Sequence, residues 1–514
     1  MSRTEGAMAI GSIQEQRVTS WQTSERSGLH QTRSGARATS VIPETEVRRK
    51  NYELVIFYPP AMTFEPVHPD MIFGLQRKPS GQKKEPVPLG VYIHIPFCTG
   101  RCGYCHYVTC IRPSKTLISR YLSSLAKELS LLTVLGVFEN RPLSFIHVGG
   151  GTPTFLPNNR VGELMQRLAE VCRMENDAEV TWEASAETAA KRKLACLREN
   201  GVTRLSIGVQ SFDDELLKMC KRRHDAKRAQ EAIRDARTCG FNSLNIDLIF
   251  GLPTQDIAKW SASLKTACDL GVGSITVYRL RLRPETEFAE WHRHLFPAQS
   301  ECVEMHRLAI DIMKSAGYRH VQPNQFVLPG VADHRYVRQK WGDQAEFLGL
   351  GVSSYSFYNG WTFANARSLR SYFESLAQDR LPVCLGRLMT SDQEMRKFLI
   401  LGLKLLDIGV SKAIFQAKFG KALSAVFGDI LVQLYELGFL IEDGETVRLS
   451  ELGALFADDI CVAFYSPEEK ALLMGKGATK YGSYLSGSIN TGFGEARTRT
   501  CGRSGLSGVL GRWL

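Results

Sequence analysis

From about residue 90 to residue 282, short apolar runs of strand type alternate with longer stretches in which apolar residues recur at helical spacing. The runs 91–95, 143–148, 179–185, 203–209, 242–250 and 274–282 predict six strands. Helices are predicted near 115–136, 158–173, 187–200, 213–219, 225–239 and 256–270. Strands and helices in this order imply parallel βαβ units. Polar or glycine-rich residues recur at the strand ends: a cysteine loop, then GGGTP (149–153), Glu183, Gln210, Asp247 with GLP (251–253), and Tyr278 with Arg279. A barrel draws its site from all its strand ends, whereas a doubly wound sheet uses mainly one crevice. The expected fold is therefore α/β, a partial (β/α)6 TIM-type barrel.

The flanking segments have other patterns. Residues 347–360 predict a strand-and-turn region that completes a catalytic domain spanning 90–385, with its core barrel at about 90–300. Residues 386–465 predict a small C-terminal domain: helices, then two strands around Asp443-Gly444 that form a wing. Residues 51–89 form an N-terminal extension. Residues 1–50 are rich in Ser, Thr, Gln and Arg and read as a disordered tail, with a second tail at 466–514.

Composition narrows the function classes. Hydrophobic residues make up 44% of the 514, enough for a sizeable core. No apolar run reaches the ~18 residues of a membrane span, and the N-terminus lacks the charged and apolar regions of a secretory leader. A cytoplasmic protein is expected, and there thiols stay reduced. The net charge of +11 comes without a basic-aromatic motif for nucleic acid. Nucleic acid and membrane partners are not expected; an anionic or carrier-bound small-molecule substrate fits the charge.

Four of the 13 cysteines fall in HIPFCTGRCGYCHYVTC: Cys98, Cys102, Cys105 and Cys110. In a reducing compartment such clustering points to metal. The first three share a tight loop with Gly100 and Gly103. Three thiolates are one short of a closed structural zinc site, for which Cys110 or His106 would be the fourth ligand. They suit a [4Fe–4S] cluster with one iron open to substrate.

YIHIPFC-x3-C-x-Y-C resembles the signature of the radical S-adenosylmethionine (SAM) superfamily, and more closely the branch of oxygen-independent coproporphyrinogen III oxidase. HVGGGTPTFL (147–156), EASAET (183–188), GVTRLSIGVQSFDDELL (201–217), the arginines and histidine at 222–224, and NIDLIFGLPTQ (245–255) resemble the family's successive blocks. Residues 388–462 resemble its C-terminal domain. The resemblance implies Cys98, Cys102 and Cys105 as cluster ligands, with SAM chelated at the open iron and cleaved to a 5'-deoxyadenosyl radical. An electron donor such as flavodoxin or ferredoxin is implied too. Carried over by motif, Tyr92, Gly150 and Glu183 match residues at one SAM. Tyr104, Gly151, Thr152, Gln210, Arg222 and Asp247 match residues at a second. For Glu183, a salt bridge to Arg204 is the plainer alternative.

Three departures bear on the reaction. Tyr107 stands where the oxidases carry a further cysteine. In the region where haem-chaperone relatives resemble H-N-x-x-Y-W, this chain reads RYVRQKW, so Tyr336 replaces the histidine and His334 lies out of register. Arg279, Arg281 and Arg283 alternate along the sixth predicted strand and would share one face. These departures resemble the class C radical methyltransferases and cyclopropanases. That implies transfer of a methyl or methylene group to an sp2 carbon, with oxidative decarboxylation and haem chaperoning as the alternatives.

Overall fold

A computed structural model describes residues 55–74 and 87–473. Both predicted tails lie largely outside these residues. All six predicted strands form: β1 (Leu89–Ile95), β2 (Leu143–Gly150), β3 (Met174–Ser185), β4 (Arg204–Gln210), β5 (Ser243–Phe250) and β6 (Ser274–Arg279). They pair in parallel, in chain order. Each predicted helix follows its strand, and several start where the sequence supplies a cap. Ser114, Asp213, Asp225 and Asp256 each accept a hydrogen bond from a backbone N–H three residues on. That satisfies one of the unpaired donors of a helix N-terminus.

The strand-and-turn region expected at 347–360 supplies a seventh parallel strand. β7 (Glu346–Leu350) pairs with β1, on the side opposite β2. Antiparallel strands extend both ends, giving a 13-stranded sheet whose order is linear, so it does not close on itself. The incomplete barrel is thus confirmed, with one more parallel strand than expected. Its core is built by residues such as Ile93, Val148, Trp182, Ile207, Ile246 and Val277, all fully buried.

The sixth strand ends earlier than expected. It stops at Arg279, so Arg281 and Arg283 do not share a strand face with it. Beyond the strand end Arg281 pairs with Asp458 at 2.6 Å, and a turn follows in which Thr286 N–H bonds to the Arg283 carbonyl at 2.9 Å; all three arginines still line one large cavity. Glu287, close by in sequence, pairs with Lys221.

The C-terminal segment has its own hydrophobic core, from Met395 to Tyr465, joined by Val55, Tyr58 and Trp341. Its first helix, Ser391–Leu403, starts with a capping box between Thr390 and Gln393. The wing is a three-stranded antiparallel sheet, because Val410–Ser411 adds to the two predicted strands, Leu440–Glu442 and Thr446–Leu449. Among the described residues no helix is long and apolar enough to cross a membrane.

Candidate cluster and cofactor site

The cysteine loop leaves β1 and is tied down from several sides. Gly151 N–H bonds to the Ile95 carbonyl and Thr152 N–H to the Phe97 carbonyl, both at 2.8 Å. Gly103 lies against Phe288, whose N–H bonds back to the Gly103 carbonyl at 3.0 Å. Tyr104 packs edge-on against the same phenyl ring. Cys98, Cys102 and Cys105 all face one cavity of about 1240 Å³. Cys110 does not line it and pairs with Phe97 in a short two-stranded ladder. His106 does line it.

Every predicted cofactor residue lines that same cavity: Tyr92, Tyr104, Gly150, Gly151, Thr152, Glu183, Gln210, Arg222 and Asp247. Their placement follows from the strand ends. At the end of β2, the three glycines each meet a group that a methyl would displace. A Cβ on Gly149 would lie 2.7 Å from Glu183 Oε1, one on Gly150 2.7 Å from the His94 ring, and one on Gly151 2.9 Å from Cys98 Sγ. Gly150 also has φ +112°, which side chains other than glycine's rarely tolerate. Backbone therefore approaches the cysteine loop as closely as it can.

Glu183 accepts from Gly150 N–H at 3.0 Å and contacts His147 Nε2 at 2.9 Å. Arg204 bonds to Ser243 instead, so the salt-bridge alternative does not form. Tyr92 stacks on His147 and contacts His94 Nδ1 at 3.2 Å. Arg222 reaches Cys102 Sγ at 3.3 Å and is anchored by Ser185 Oγ and the Gly208 carbonyl. Gln210 has φ +72° at an irregularity between β4 and β5, which turns the chain at the cavity rim. Asp247 accepts from Ser206 Oγ and Asn245 Nδ2. Burial, reinforced by the Glu183 charge, pushes its carboxyl up to about 7. His224, off this site, bonds to the Val209 carbonyl in a structural role.

Burial also pushes the thiols up, Cys98 to about 12 and Cys105 to about 11. Such thiols need a bound cation to ionise. Thr152 Oγ1, at 3.5 Å from Cys98 Sγ, and Arg222 supply polar contacts that favour sulfur charge. Among the described residues no group of three His, Cys, Asp or Glu side chains is arranged for a single metal ion. A cluster uses one thiolate per iron and does not need them at one point. The residues present fit a [4Fe–4S] cluster with SAM beside it.

Six further side chains line this cavity without a role assigned to them from the sequence. His94 and His147 were inside quoted motifs but were read only as strand residues. His334 and Tyr336 sit together with His147, its ring 5.5 Å from His334 and 4.7 Å from Tyr336. Lys340 and Lys397 lie on the same cavity wall.

Comparison with known proteins agrees with this geometry. Residues 92–267 match the Radical SAM superfamily and residues 389–456 match the HemN C-terminal domain. The heme chaperone HemW of Bacillus subtilis is 30% identical over 378 residues, covering 73% of this chain and 98% of the chaperone. The chain belongs to the radical SAM superfamily. Within the superfamily it falls in the branch of HemW and coproporphyrinogen oxidase. The oxygen-independent coproporphyrinogen III oxidase of Escherichia coli is 26% identical over 393 residues, covering 73% of this chain and 85% of the oxidase. The solved coproporphyrinogen III oxidase (HemN) from Escherichia coli, a radical SAM enzyme, aligns with a TM-score of 0.71 at 26% identity. It covers 80% of this chain and 96% of the solved one. As a radical SAM protein the chain uses a [4Fe–4S] cluster and SAM. The expectation of methyl or methylene transfer finds no support among these relatives.

Proposed function

We propose that this radical SAM protein binds a tetrapyrrole in the cavity beyond its cluster, in the manner of the heme chaperones it resembles. The observation that carries the reading is the position of His334. By sequence the chaperone histidine is lost, with Tyr336 in its place; in space, His334 faces the cavity beside Tyr336 and His147. Burial, with the nearby Arg204 charge, holds His334 well below the usual imidazole range. That direction favours the neutral imidazole, the form that ligates iron, and Glu179 Oε1 lies 3.5 Å from its Nε2. Tyr107, at the position of the oxidase cysteine, also lines the cavity and supports the chaperone side of the branch.

The cluster with SAM supplies a carbon-centred radical when reduced. The chain's own residues hold these groups. Cys98, Cys102 and Cys105 are the proposed iron ligands, and Tyr92, Gly150 and Glu183 the contacts to one SAM. Tyr104, Gly151, Thr152, Gln210, Arg222 and Asp247 are the proposed contacts to a second. Haem titration of the anaerobically reconstituted protein tests the reading: a shifted Soret band at one haem per chain is expected, lost in His334→Ala and kept in Tyr336→Phe. Absence of haem binding removes it.

Oxidative decarboxylation of coproporphyrinogen III is the second reading. It is favoured by the complete set of SAM residues around one large cavity. Turnover with release of carbon dioxide and 5'-deoxyadenosine supports it. S-adenosylhomocysteine with a methylated product would overturn both.

A further inference from the structure

The cavity wall formed by the helix Ser391–Leu403 and the segment after His334 carries two lysines in an unusual setting. Lys397 is 5% exposed and Lys340 is 8% exposed. Neither ammonium has a carboxylate within ion-pairing distance among the described residues. Lys397 lies 3.2 Å from the centre of the Phe357 ring and makes no hydrogen bond among those residues. Lys340 donates to the Tyr336 hydroxyl at 3.1 Å and lies 5.2 Å from the centre of the Phe347 ring. Phe347 and Phe357 are paired across adjacent antiparallel strands, so the two ammonium groups rest on one aromatic floor.

These contacts do not balance the cost of burial. Ring contacts with a cation are worth about 0.5–2 kcal/mol. Taking an ammonium out of water costs several kcal/mol unless an anion faces it. Burial, with the neighbouring Lys404, accordingly pushes Lys340 down to about 7. Burial and the Lys418 charge push Lys397 well below the usual lysine range. Lys404 is the contrast. It lies seven residues, about two turns, on from Lys397, at the C-cap of the same helix, and it is paired with Asp458 and the Val55 carbonyl, both at 2.7 Å. The fold pairs the lysine that ties its segments together and leaves the other two without an anion in the cavity.

We propose that Lys340 and Lys397 form the binding site for a carboxylate group of the substrate. Their two donors match the two oxygens of a carboxylate. A phosphate would leave further oxygens against phenyl rings. The placement also orients the substrate. From Lys340 a chain of contacts runs to the Tyr336 hydroxyl, from the Tyr336 ring to His147 at 4.7 Å, and from His147 to Glu183 at 2.9 Å. A carboxylate held here sets the rest of the molecule against the cofactor end of the cavity. Its identification as a propionate rests on the tetrapyrrole reading; the carboxylate site does not.

The test uses full-length, anaerobically reconstituted protein with two probes. Haem is compared with haem dimethyl ester, which lacks the carboxylates. The free acid is expected to bind at least about tenfold more tightly, the loss typical of an unpaired buried charge. Lys340→Met and Lys397→Met should each erase most of that difference without lowering the melting temperature. A lysine with a structural role would lower it instead. Equal binding of acid and ester by the wild type overturns the carboxylate site and leaves the tetrapyrrole reading standing. The second probe is benzoate, with acetylation of each lysine followed by mass spectrometry on the wild type. If neither haem form binds, or the variants do not fold, slower acetylation of Lys340 and Lys397 in benzoate supports the site. An unchanged rate overturns it.

Discussion

Arg222 donates from Nη1 to the sulfur of Cys102 at 3.3 Å, while Nη2 is fixed by Ser185 and the Gly208 carbonyl. Burial opposes the guanidinium charge, but Tyr104 and Cys102 outweigh it and raise the arginine pKa. With Cys102 as the proposed cluster ligand, a cation held at its thiolate favours the reduced, more negative state. Arg222→Met should lower the cluster reduction potential and the iron content, with Arg222→Lys restoring part of both. Redox titration followed by electron paramagnetic resonance measures the shift; an unchanged potential would detach Arg222 from the cluster.

The division between Cys110 and the other three cysteines has a direct readout. Cys98→Ala, Cys102→Ala and Cys105→Ala should each abolish the brown cluster, measured as iron and sulfide per chain. Cys110→Ala should retain it, because that side chain lies off the cavity on the ladder with Phe97. Loss of iron from the Cys110 variant would refute the ligand set.

Glu128 is 2% exposed and accepts from Tyr372 Oη and Asn365 Nδ2 at 2.6 Å and from Gly351 N–H at 2.8 Å. Burial outweighs these donors and raises its carboxyl from 4.5 to about 7. Between those values the folded chain holds a proton that the unfolded chain releases. Its contribution to stability is therefore full below the lower value and is lost as pH rises through the upper one. Glu128→Gln should remove this slope from melting curves between pH 5 and pH 7.5. It should also cost about 1–3 kcal/mol at neutral pH, because an amide N–H then faces a donor. Asp247, shifted the same way, leaves a residual slope.

Asp458 ties three segments together, pairing with Arg281 at 2.6 Å and Lys404 at 2.7 Å and accepting from Val55 N–H at 3.2 Å. Burial works against its charge, but Lys404 and Arg281 win and its pKa is lowered. Asp458→Ala leaves the buried Lys404 ammonium unpaired and should destabilise the protein by about 3–5 kcal/mol. In the wild type this contribution is present above the ordinary carboxylate value and fades as pH falls through the lowered one. Denaturant melts at pH 7 and pH 3 should show the variant's deficit shrinking with acid.

The barrel was legible because each of β1 to β6 is a short apolar run bounded by a helix and a polar strand end. β7 was legible as a strand but not as a member of the parallel set, since it lies far along the chain from β6 and pairs back to β1. The arginine alternation was over-read only as a strand face: it holds while the chain stays in the sheet, and β6 stops at Arg279, yet Arg279, Arg281 and Arg283 all line the cavity. The residues proposed to hold the cofactors, which the fold gathers around one cavity, were legible as motifs in and after the strands. Lys397 was not, because a lysine in a helix ordinarily points to water, yet this helix is buried continuously from Lys397 to Leu403. The sequence shows His334 only as a residue out of register; that it lines the cavity beside His147 and Tyr336 is seen only in the fold.

The helix bearing Lys397 lies outside the parallel strands and packs into a hydrophobic core of its own. The half of the chamber proposed to hold the cluster and the lysine wall are thus furnished by different stretches of polypeptide. Drift in residues 391–403 can retune what the chamber admits while the radical-generating apparatus stays intact. In such a layout a change of cargo does not demand the reinvention of the engine.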